Sequence, residues 1–304
     1  MSTPQLTVAI SGAGGLIGEA LVAGLTSEGH RVLRLVRRPA ATDDDVEWNL
    51  AAGIIDPARL AGVDAVIHLA GENIAAGRWS RRRMDAIRSS RIEGTRALVA
   101  SLSRLHPAPR AFLCASAVGI YGDRGDEVLT EESPPGRGFL PAVCQAWEHE
   151  AAAAARCRMR WVSLRFGVVL AATGGMLKRV LTPFRLGLGG RVGSGRQYMS
   201  WVALDDLVGA ARHVLTHERL TGPVNVVAPQ PVTNAEFTAA LAHVLRRPAL
   251  VPVPAFALRL AFGRLADEAL LASARAEPAA LLRSGYSCRH PRIEGALRAM
   301  LGSE

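Results

Sequence analysis

Lysine is almost absent from this chain. Of its 36 basic residues only Lys178 is a lysine, and the others are arginines. Any reaction that requires a lysine side chain must therefore use Lys178. Aromatic residues are also scarce, at 5% of the total. This leaves little of the interleaved stacking surface that nucleic-acid-binding proteins use, so we predict no nucleic-acid partner.

Metal sites, disulfides and membrane spans are also disfavoured. The four cysteines stand far apart and never form a Cys-x-x-Cys pair, and the eight histidines form no His-x-His or His-Glu-x-x-His pattern. We therefore predict no metal, no disulfide framework and a reducing compartment. No apolar run approaches the roughly 20 residues of a membrane helix, and we expect no secretory leader. A cytoplasmic protein without a membrane partner fits these features best.

The charge of the chain is one-sided. Lys and Arg total 36 against 27 acidic residues, which gives a net charge of +9. A GC-rich genome explains such an arginine excess without any function, and a surface for phosphorylated ligands is the alternative. Hydrophobic residues make up 49% of the chain, enough for a sizeable core in one large domain or one domain with an appendage.

Short apolar runs alternate with helix-like segments, as is typical of a parallel α/β sheet. The predicted strands are Leu6–Ile10, Val32–Val36, Ala65–Leu69, Ala111–Ala115, Trp161–Phe166 and Val224–Val227. The predicted helices are Leu16–Ser27, Ser80–Leu105, Ala142–Ala155 and Leu204–Leu215, with another capped by Thr233 and Glu236. We predict an α/β fold: a doubly wound Rossmann domain over residues 1–165 and about 202–227. A smaller, mixed, mainly helical C-terminal lobe takes up about 166–201 and 228–304.

A glycine-rich loop follows the first predicted strand and opens the first helix. Its glycines follow a Gly-x-x-Gly-x-x-Gly pattern within the sequence Gly12-Ala13-Gly14-Gly15-Leu16-Ile17-Gly18. In this context the glycines permit a tight turn, close approach to a pyrophosphate and close helix–strand packing. We predict that Gly12, Gly14, Gly15, Leu16, Ile17 and Gly18 bind a dinucleotide.

The end of the second strand indicates which dinucleotide is bound. An NAD site places an acidic residue there for the ribose 2′-hydroxyl, whereas this chain has Arg37 and Arg38. A guanidinium pairs with a 2′-phosphate and stacks on adenine. The alternative is a solvated arginine pair. We predict NADP(H), bound by Arg37 and Arg38.

Further motifs follow in order along the chain. They are His68–Gly71, Ala115–Gly122, Leu164–Gly167, Gly193–Gln197 and Trp201–Asp206. Together they resemble the extended short-chain dehydrogenase/reductase family, in its nucleotide-sugar epimerase and dehydratase branch. The stretches Leu69–Ile74, Gly77–Trp79, Ser89–Glu93 and Pro183–Gly190 are most similar to an atypical epimerase-like subgroup with a short C-terminal domain of unknown function.

This resemblance implies further contacts with the cofactor and the substrate. The implied cofactor-binding residues are Leu69, Ala70, Gly71, Arg91, Ser116 and Arg165. Arg185, Arg196 and Gln197 lie where relatives contact the diphosphate of a sugar nucleotide, and Asn73 follows a strand at the ligand-binding edge of the sheet. We therefore expect an anionic small-molecule substrate, with a homodimer as one possible assembly.

The usual catalytic pair of this superfamily is missing. A tyrosine followed four residues later by a lysine transfers the proton, because the ammonium group lowers the tyrosine pKa from about 10. The residues four positions after Tyr121, Tyr198 and Tyr286 are Gly125, Val202 and His290. If Glu148 aligns with the family's glutamate, Leu140 replaces the tyrosine and Cys144 the lysine.

The remaining catalytic candidates are Ser116 and Tyr121. Ser116 could hydrogen-bond a substrate carbonyl or be an ordinary cap, and Tyr121 could be an acid tuned by an arginine or the ribose, or an aromatic lid. Cys144 is a weaker candidate, because free cysteines are usually buried. We predict an NADP(H)-dependent oxidoreductase or epimerase-like enzyme for an unidentified small molecule. The alternative is a catalytically inert NADP(H)-binding sensor or regulatory protein.

Overall fold

The computed structural model describes residues 5–49, 53–54 and 56–302. The strands are β1 (Thr7–Ser11), β2 (Arg31–Val36), β3 (Asp45–Asn49), β4 (Gly53–Ile54), β5 (Ala65–His68), β6 (Ala111–Ala117), β7 (Val128–Leu129), β8 (Arg160–Phe166), β9 (Val168–Ala171), β10 (Tyr198–Met199), β11 (Trp201–Ala203), β12 (Gly222–Val226), β13 (Val232–Thr233) and β14 (Arg275–Ala276).

Helices cover both faces of the main sheet and form most of the C-terminal part. They are α1 (Leu16–Ser27), α2 (Arg81–Leu102), α3 (Phe139–Ala152), α4 (Gly175–Arg185), α5 (Leu204–Thr216), α6 (Asn234–Leu245), α7 (Ala255–Phe262), α8 (Ala279–Arg283) and α9 (Ile293–Leu301). Tighter 3₁₀ turns lie at Pro57–Leu60, Val118–Tyr121 and Ala153–Cys157, and a π-helical turn lies at Ala266–Leu270. Within the described residues, no helix is both long and apolar enough to cross a membrane.

The main sheet has the strand order β12-β8-β6-β5-β1-β2-β3-β4. Neighbouring strands are parallel except β3 and β4. From β1 the chain first extends the sheet on one side, through β2 to β4, and then on the other, through β5, β6, β8 and β12. The carboxyl ends of β1 and β5 therefore flank a topological switch point, where open α/β sheets bind their ligands. This confirms the predicted doubly wound fold.

Two local predictions hold closely. Helix α1 has the predicted bounds and buries Gly18, Leu21 and Leu25, which share one face through a spacing of three and four residues. At the start of α6 the capping box forms: the Glu236 N–H donates to Thr233 Oγ1 at 3.2 Å, and the Thr233 N–H donates to the Glu236 carboxylate at 2.7 Å.

Among the elements that the sequence did not predict, two break a local rule. Strand β3 carries charged residues, yet it buries Val46 and Trp48 against the core. Helix α4 contains Pro183 close to its end, which made the segment resemble a loop. The helix forms because Leu177, Leu181 and Phe184 lie on one face and fill a second, smaller core with residues of α6 and α9.

Candidate active site

The glycine loop after β1 is shaped to receive a phosphate group. Gly12 has a φ of +72°, which favours glycine, and a Cβ on Gly18 would lie 2.2 Å from the Gly12 carbonyl oxygen. Helix α1 therefore packs directly on the turn. On the outer side Gly14 and Gly15 are exposed, and no side chain caps the helix, because its N-cap residue is Gly15. No side chain therefore occupies the N–H groups of the first turn, which leaves them available to an anion such as the pyrophosphate of a dinucleotide.

A buried polar cluster supports this loop from beneath. The Ser11 hydroxyl accepts hydrogen bonds from the N–H groups of Leu69 and Ala70, at 3.2 and 3.3 Å, and lies 2.6 Å from His68 Nδ1. Because both N–H groups donate to it, the Ser11 hydroxyl donates its own hydrogen to His68. The predicted contact segment 69–71 is therefore tied to the end of β1, within contact distance of Gly12.

We expect His68 to make stability sensitive to acid. Complete burial lowers its pKa from 6.5 to about 4, so the unfolded chain binds the proton more readily than the folded protein. The free energy of unfolding therefore keeps its full value above about pH 6.5 and decreases as the pH falls from there towards 4. Between about pH 7.5 and pH 5 the loss should be about 2 kcal/mol. Urea unfolding at both pH values measures it, and His68→Gln should show a flatter dependence. Equal slopes for the two proteins would contradict the assignment.

At the end of β2 the two predicted arginines differ. Arg38 forms an ion pair with Asp45 at 3.1 Å, and Arg34 pairs with the same carboxylate at 2.9 Å. Burial acts to raise the Asp45 pKa, but the Ala41 N–H and the two guanidinium groups outweigh it, so the pKa lies below its usual value. The side chain of Arg37 is exposed, with no hydrogen-bond or ion-pair partner among the described residues. Only Arg37 is therefore fully free to contact an anion.

Arg91 lies between the loop after β5 and helix α3. Its guanidinium stacks over the Trp147 ring at 5.0 Å from the centroid and donates to the Glu72 carbonyl at 2.9 Å. A Cβ placed on Gly71 would lie 3.3 Å from the Arg91 guanidinium carbon. The predicted cofactor-binding residues Gly71 and Arg91 are thus neighbours at the carboxyl edge of the sheet.

Ser116 and Arg165 meet at the carboxylate of Glu148. Ser116 at the end of β6 donates to Glu148 Oε1 at 2.6 Å, and Arg165 on β8 binds both carboxylate oxygens at 2.8 Å. Burial acts to lower the Arg165 pKa, but these bonds and the Glu148 charge raise it above its ordinary value. Arg165 is therefore a buried support that fixes Glu148, and through it the orientation of Ser116.

Tyr121 belongs to the same buried network. Its side chain is fully buried, and its hydroxyl lies 2.7 Å from Asn225 Oδ1 and 2.9 Å from the Thr130 carbonyl. It also accepts a hydrogen bond from Arg165 at 3.0 Å. Burial is the largest effect on the Tyr121 pKa and raises it, although Arg165 acts in the opposite direction. The arginine that the sequence argument required is present, but it does not convert Tyr121 into an accessible acid.

Helix α3 places Leu140 and Cys144 one turn apart. These are the residues that the sequence analysis proposed at the positions of the family's tyrosine and lysine. Cys144 is buried, and burial together with the Glu148 charge raises the pKa of its thiol to about 12. A thiolate nucleophile at this position is therefore disfavoured. Lys178 lies on a different helix, α4.

A cavity of about 400 Å³ adjoins this network. Its wall begins at Ala117, directly after Ser116, and includes Leu140 on α3. Further apolar lining residues come from the end of β8 and the start of β9, one face of α4, helix α6 and the π-helical turn: Phe166, Gly167, Val168, Met176, Val180, Phe184, Phe237, Ala269 and Leu270. The cavity therefore lies between the main sheet and the C-terminal part of the chain.

The comparisons with known proteins agree with this architecture. The model of the NAD dependent epimerase/dehydratase family matches residues 8–227, and that of a domain of unknown function, DUF1731, matches residues 253–300. The chain belongs to the NAD dependent epimerase/dehydratase family. It is a nucleotide-cofactor-binding member of that family.

Similar proteins occur in bacteria and animals. The epimerase family protein Mb2239 of Mycobacterium bovis is 46% identical over 290 residues, which cover 95% of this chain and 96% of that protein. The crystal structure of human epimerase family protein SDR39U1 with NADPH is 33% identical, with a TM-score of 0.88 and coverage of 97% and 99%. A nucleoside-diphosphate sugar epimerase from Corynebacterium glutamicum is 37% identical with a TM-score of 0.83, but only 59% of that longer chain is covered.

The family member described here does not bring all its predicted substrate residues together. Gln197 lines the cavity, and its amide donates to the carbonyls of Val192 and Leu270. Asn73, Arg185 and Arg196 are exposed and do not form part of the cavity wall. The Asn73 side chain instead accepts a hydrogen bond from the Ala75 N–H within its own loop, at 2.9 Å. Three of the four residues thus lie apart from this cavity.

Several functional neighbours escaped sequence reasoning. Asp45 is the acidic partner of Arg38, and Glu268 lines the cavity from the distant π-helical turn. Glu148 was noted only for its alignment, and its pairing with Arg165 was not predicted. Asn225 offered a weak signal, because it is a polar residue inside an apolar strand. Glu268 offered none, since its contact with helix α3 spans 128 residues of sequence.

Proposed function

We propose that this protein is an NADP(H)-dependent oxidoreductase acting on a small molecule in the cavity beside Ser116. One observation carries the proposal: the glycine loop after β1, Ser116 at the end of β6 and the cavity wall beginning at Ala117 lie at the same edge of the sheet. Ligands of open α/β sheets bind at this edge. The NADPH in the related human structure supports the phosphorylated cofactor.

Arg37 is the proposed principal partner of the 2′-phosphate, with Arg38 as an additional positive charge. Arg37 is exposed and unpaired among the described residues, whereas Arg38 shares its charge with the buried Asp45. A guanidinium–phosphate contact is a strong, charge-assisted interaction. Arg37 should therefore contribute more to the preference for NADPH over NADH than Arg38.

Ser116 is the proposed orienting group for the substrate oxygen. Its hydroxyl donates to Glu148 in this structure, and by rotation the same hydrogen can donate to a substrate oxygen while Arg165 continues to hold the Glu148 carboxylate. A bound nicotinamide supplies or removes the hydride. Tyr121 and Cys144 take no part in proton transfer in this proposal, because both are buried and burial raises the pKa of each.

Two variants test the cofactor assignment. Arg37→Ala should weaken NADPH binding by roughly 10- to 100-fold, since it removes a charge-assisted phosphate contact, and should leave NADH binding unchanged. Arg38→Ala should have a smaller effect. Calorimetric titration measures each affinity, with Arg104→Ala, an exposed arginine after the far end of α2, as the control. Unchanged NADPH affinity in Arg37→Ala would overturn this placement of the 2′-phosphate.

A catalytically inert NADP(H)-binding protein is the second candidate. The absence of any Tyr-x-x-x-Lys pair favours it. NADPH consumption with a panel of carbonyl compounds distinguishes the two functions. Turnover that is lost in Ser116→Ala at unchanged NADPH affinity supports the oxidoreductase, whereas tight NADPH binding without turnover across the panel supports the inert protein.

A further inference from the structure

We infer that the cavity binds an uncharged, largely apolar alcohol or its ketone, and that Glu268 from the C-terminal part is the proton-transfer residue for the substrate oxygen. This inference rests on the proposed oxidoreductase function. It departs from the expectation of an anionic, nucleotide-sugar substrate. The composition of the cavity wall and the position of the Glu268 carboxylate carry it.

The cavity wall selects against anionic substrates. Apart from Glu268, every residue that lines it is uncharged. None of the described arginines takes part, although arginine is the main basic residue of the chain. A phosphorylated or diphosphate ligand buried here would have no cation to compensate its charge and would face a carboxylate. An apolar molecule would instead replace water against the aliphatic and aromatic walls.

Glu268 stands beside the residue that takes the place of the family's tyrosine. Its Oε2 accepts a hydrogen bond from the Leu140 N–H at 2.8 Å, and its Oε1 pairs with Arg264 at 3.0 Å. If Glu148 aligns with the family's glutamate, Leu140 occupies the tyrosine position. The carboxylate therefore contacts the start of α3, where the usual acid–base group would be, from the π-helical turn. It lies on a π-helical turn, a distortion often found at functional sites.

Both contacts come from hydrogen-bond donors, so the Glu268 carboxylate oxygens act as hydrogen-bond acceptors. A substrate alcohol can donate its hydroxyl hydrogen to this carboxylate. During oxidation the carbon loses a hydride to the oxidised nicotinamide, the hydroxyl proton passes to Glu268 and the C=O bond forms. During reduction the same hydride and proton return to the ketone. Glu268 exchanges the proton with water, since 16% of its side chain is exposed.

Ligand displacement without cofactor tests the cavity independently of turnover. The probe is N-phenyl-naphthylamine, an uncharged dye that fluoresces in apolar sites. The competitors are a secondary decanol, its methyl ketone and decanoate, which share a chain length and differ in the polar group. The alcohol and the ketone should displace the dye at concentrations at least about tenfold lower than decanoate does, because the decanoate carboxylate would be buried without a partner. Equally effective displacement by decanoate would overturn the inference. This comparison is made on the native protein alone.

Four variants locate the effect. Val180→Phe fills the cavity and should abolish dye binding, whereas Thr182→Phe, exposed on the same helix, should not. Glu268→Gln should weaken binding of the alcohol and strengthen binding of decanoate, by roughly tenfold each. The affinity for the ketone should change by no more than about twofold. Glu294→Gln, an exposed glutamate of the same C-terminal part, should change none of these.

The possible failures can be told apart. Unchanged dye binding in Val180→Phe, or unchanged alcohol and decanoate affinities in Glu268→Gln, would overturn the inference. If NADPH binding and Ser116-dependent turnover persist in that case, the proposed function survives and only the substrate class and the role of Glu268 are wrong.

Discussion

Replacing Arg165 by methionine should lower the free energy of unfolding by about 3–5 kcal/mol, because it leaves the largely buried carboxylate of Glu148 without its cation. Arg165 is 6% exposed and binds both oxygens of Glu148, while also donating to Tyr121. Methionine fills a similar volume without restoring the charge. The change therefore isolates an electrostatic penalty from a packing defect. Urea unfolding at neutral pH measures it.

A neighbouring ion pair provides the matched control. Arg96 binds Glu150, which lies two residues after Glu148 on α3, through two hydrogen bonds. The Arg96 side chain, however, is 62% exposed. Water solvates these charges when they separate, so Arg96→Met should change stability far less. The double variant Arg165→Met with Glu148→Met should recover part of the loss, because it removes both buried charges. Equal losses for Arg165→Met and Arg96→Met would contradict this account.

Replacing Gly18 by alanine should weaken NADPH binding by roughly 10- to 100-fold. The added Cβ would lie 2.2 Å from the Gly12 carbonyl oxygen and 2.7 Å from the Ala13 Cα, so α1 must move away from the turn. Overpacking of this kind costs about 1–3 kcal/mol. The displaced helix would carry its first N–H groups away from the pyrophosphate. Calorimetric titration with NADPH measures the loss.

Gly24→Ala on the same helix is the control, because its Cβ would meet only a methyl group of the Val208 side chain, at 2.9 Å. That side chain can shift, so NADPH affinity should stay close to the native value. Thermal unfolding of both variants shows whether the protein remains folded. A folded Gly18→Ala protein that binds NADPH as tightly as the native one would show that the loop does not position the cofactor.

The sequence by itself determined the features that depend on neighbouring residues. The spacing of apolar residues and the local composition predicted the central strands, the turn at Gly12 and helix α1. Local backbone preferences and that spacing are sufficient to specify these elements. The capping box of Thr233 and Glu236 belongs to the same class, since its partners are three residues apart. The absence of a Tyr-x-x-x-Lys pair also required no structure.

The tertiary structure decided which charged groups meet. Sequence analysis treated Arg37 and Arg38 alike, but of these two arginines the fold pairs only Arg38 with Asp45. Sequence analysis expected Arg165 at the cofactor and gave no sign of the ion pair that Arg165 forms with Glu148. Glu268 reaches the Leu140 N–H across 128 residues. Such pairings depend on how distant segments pack and on which charges lose their water. Neither the packing of distant segments nor the loss of water around a charge can be predicted from local sequence patterns. The ion-pair partners and the cavity walls were therefore identified only in the folded chain.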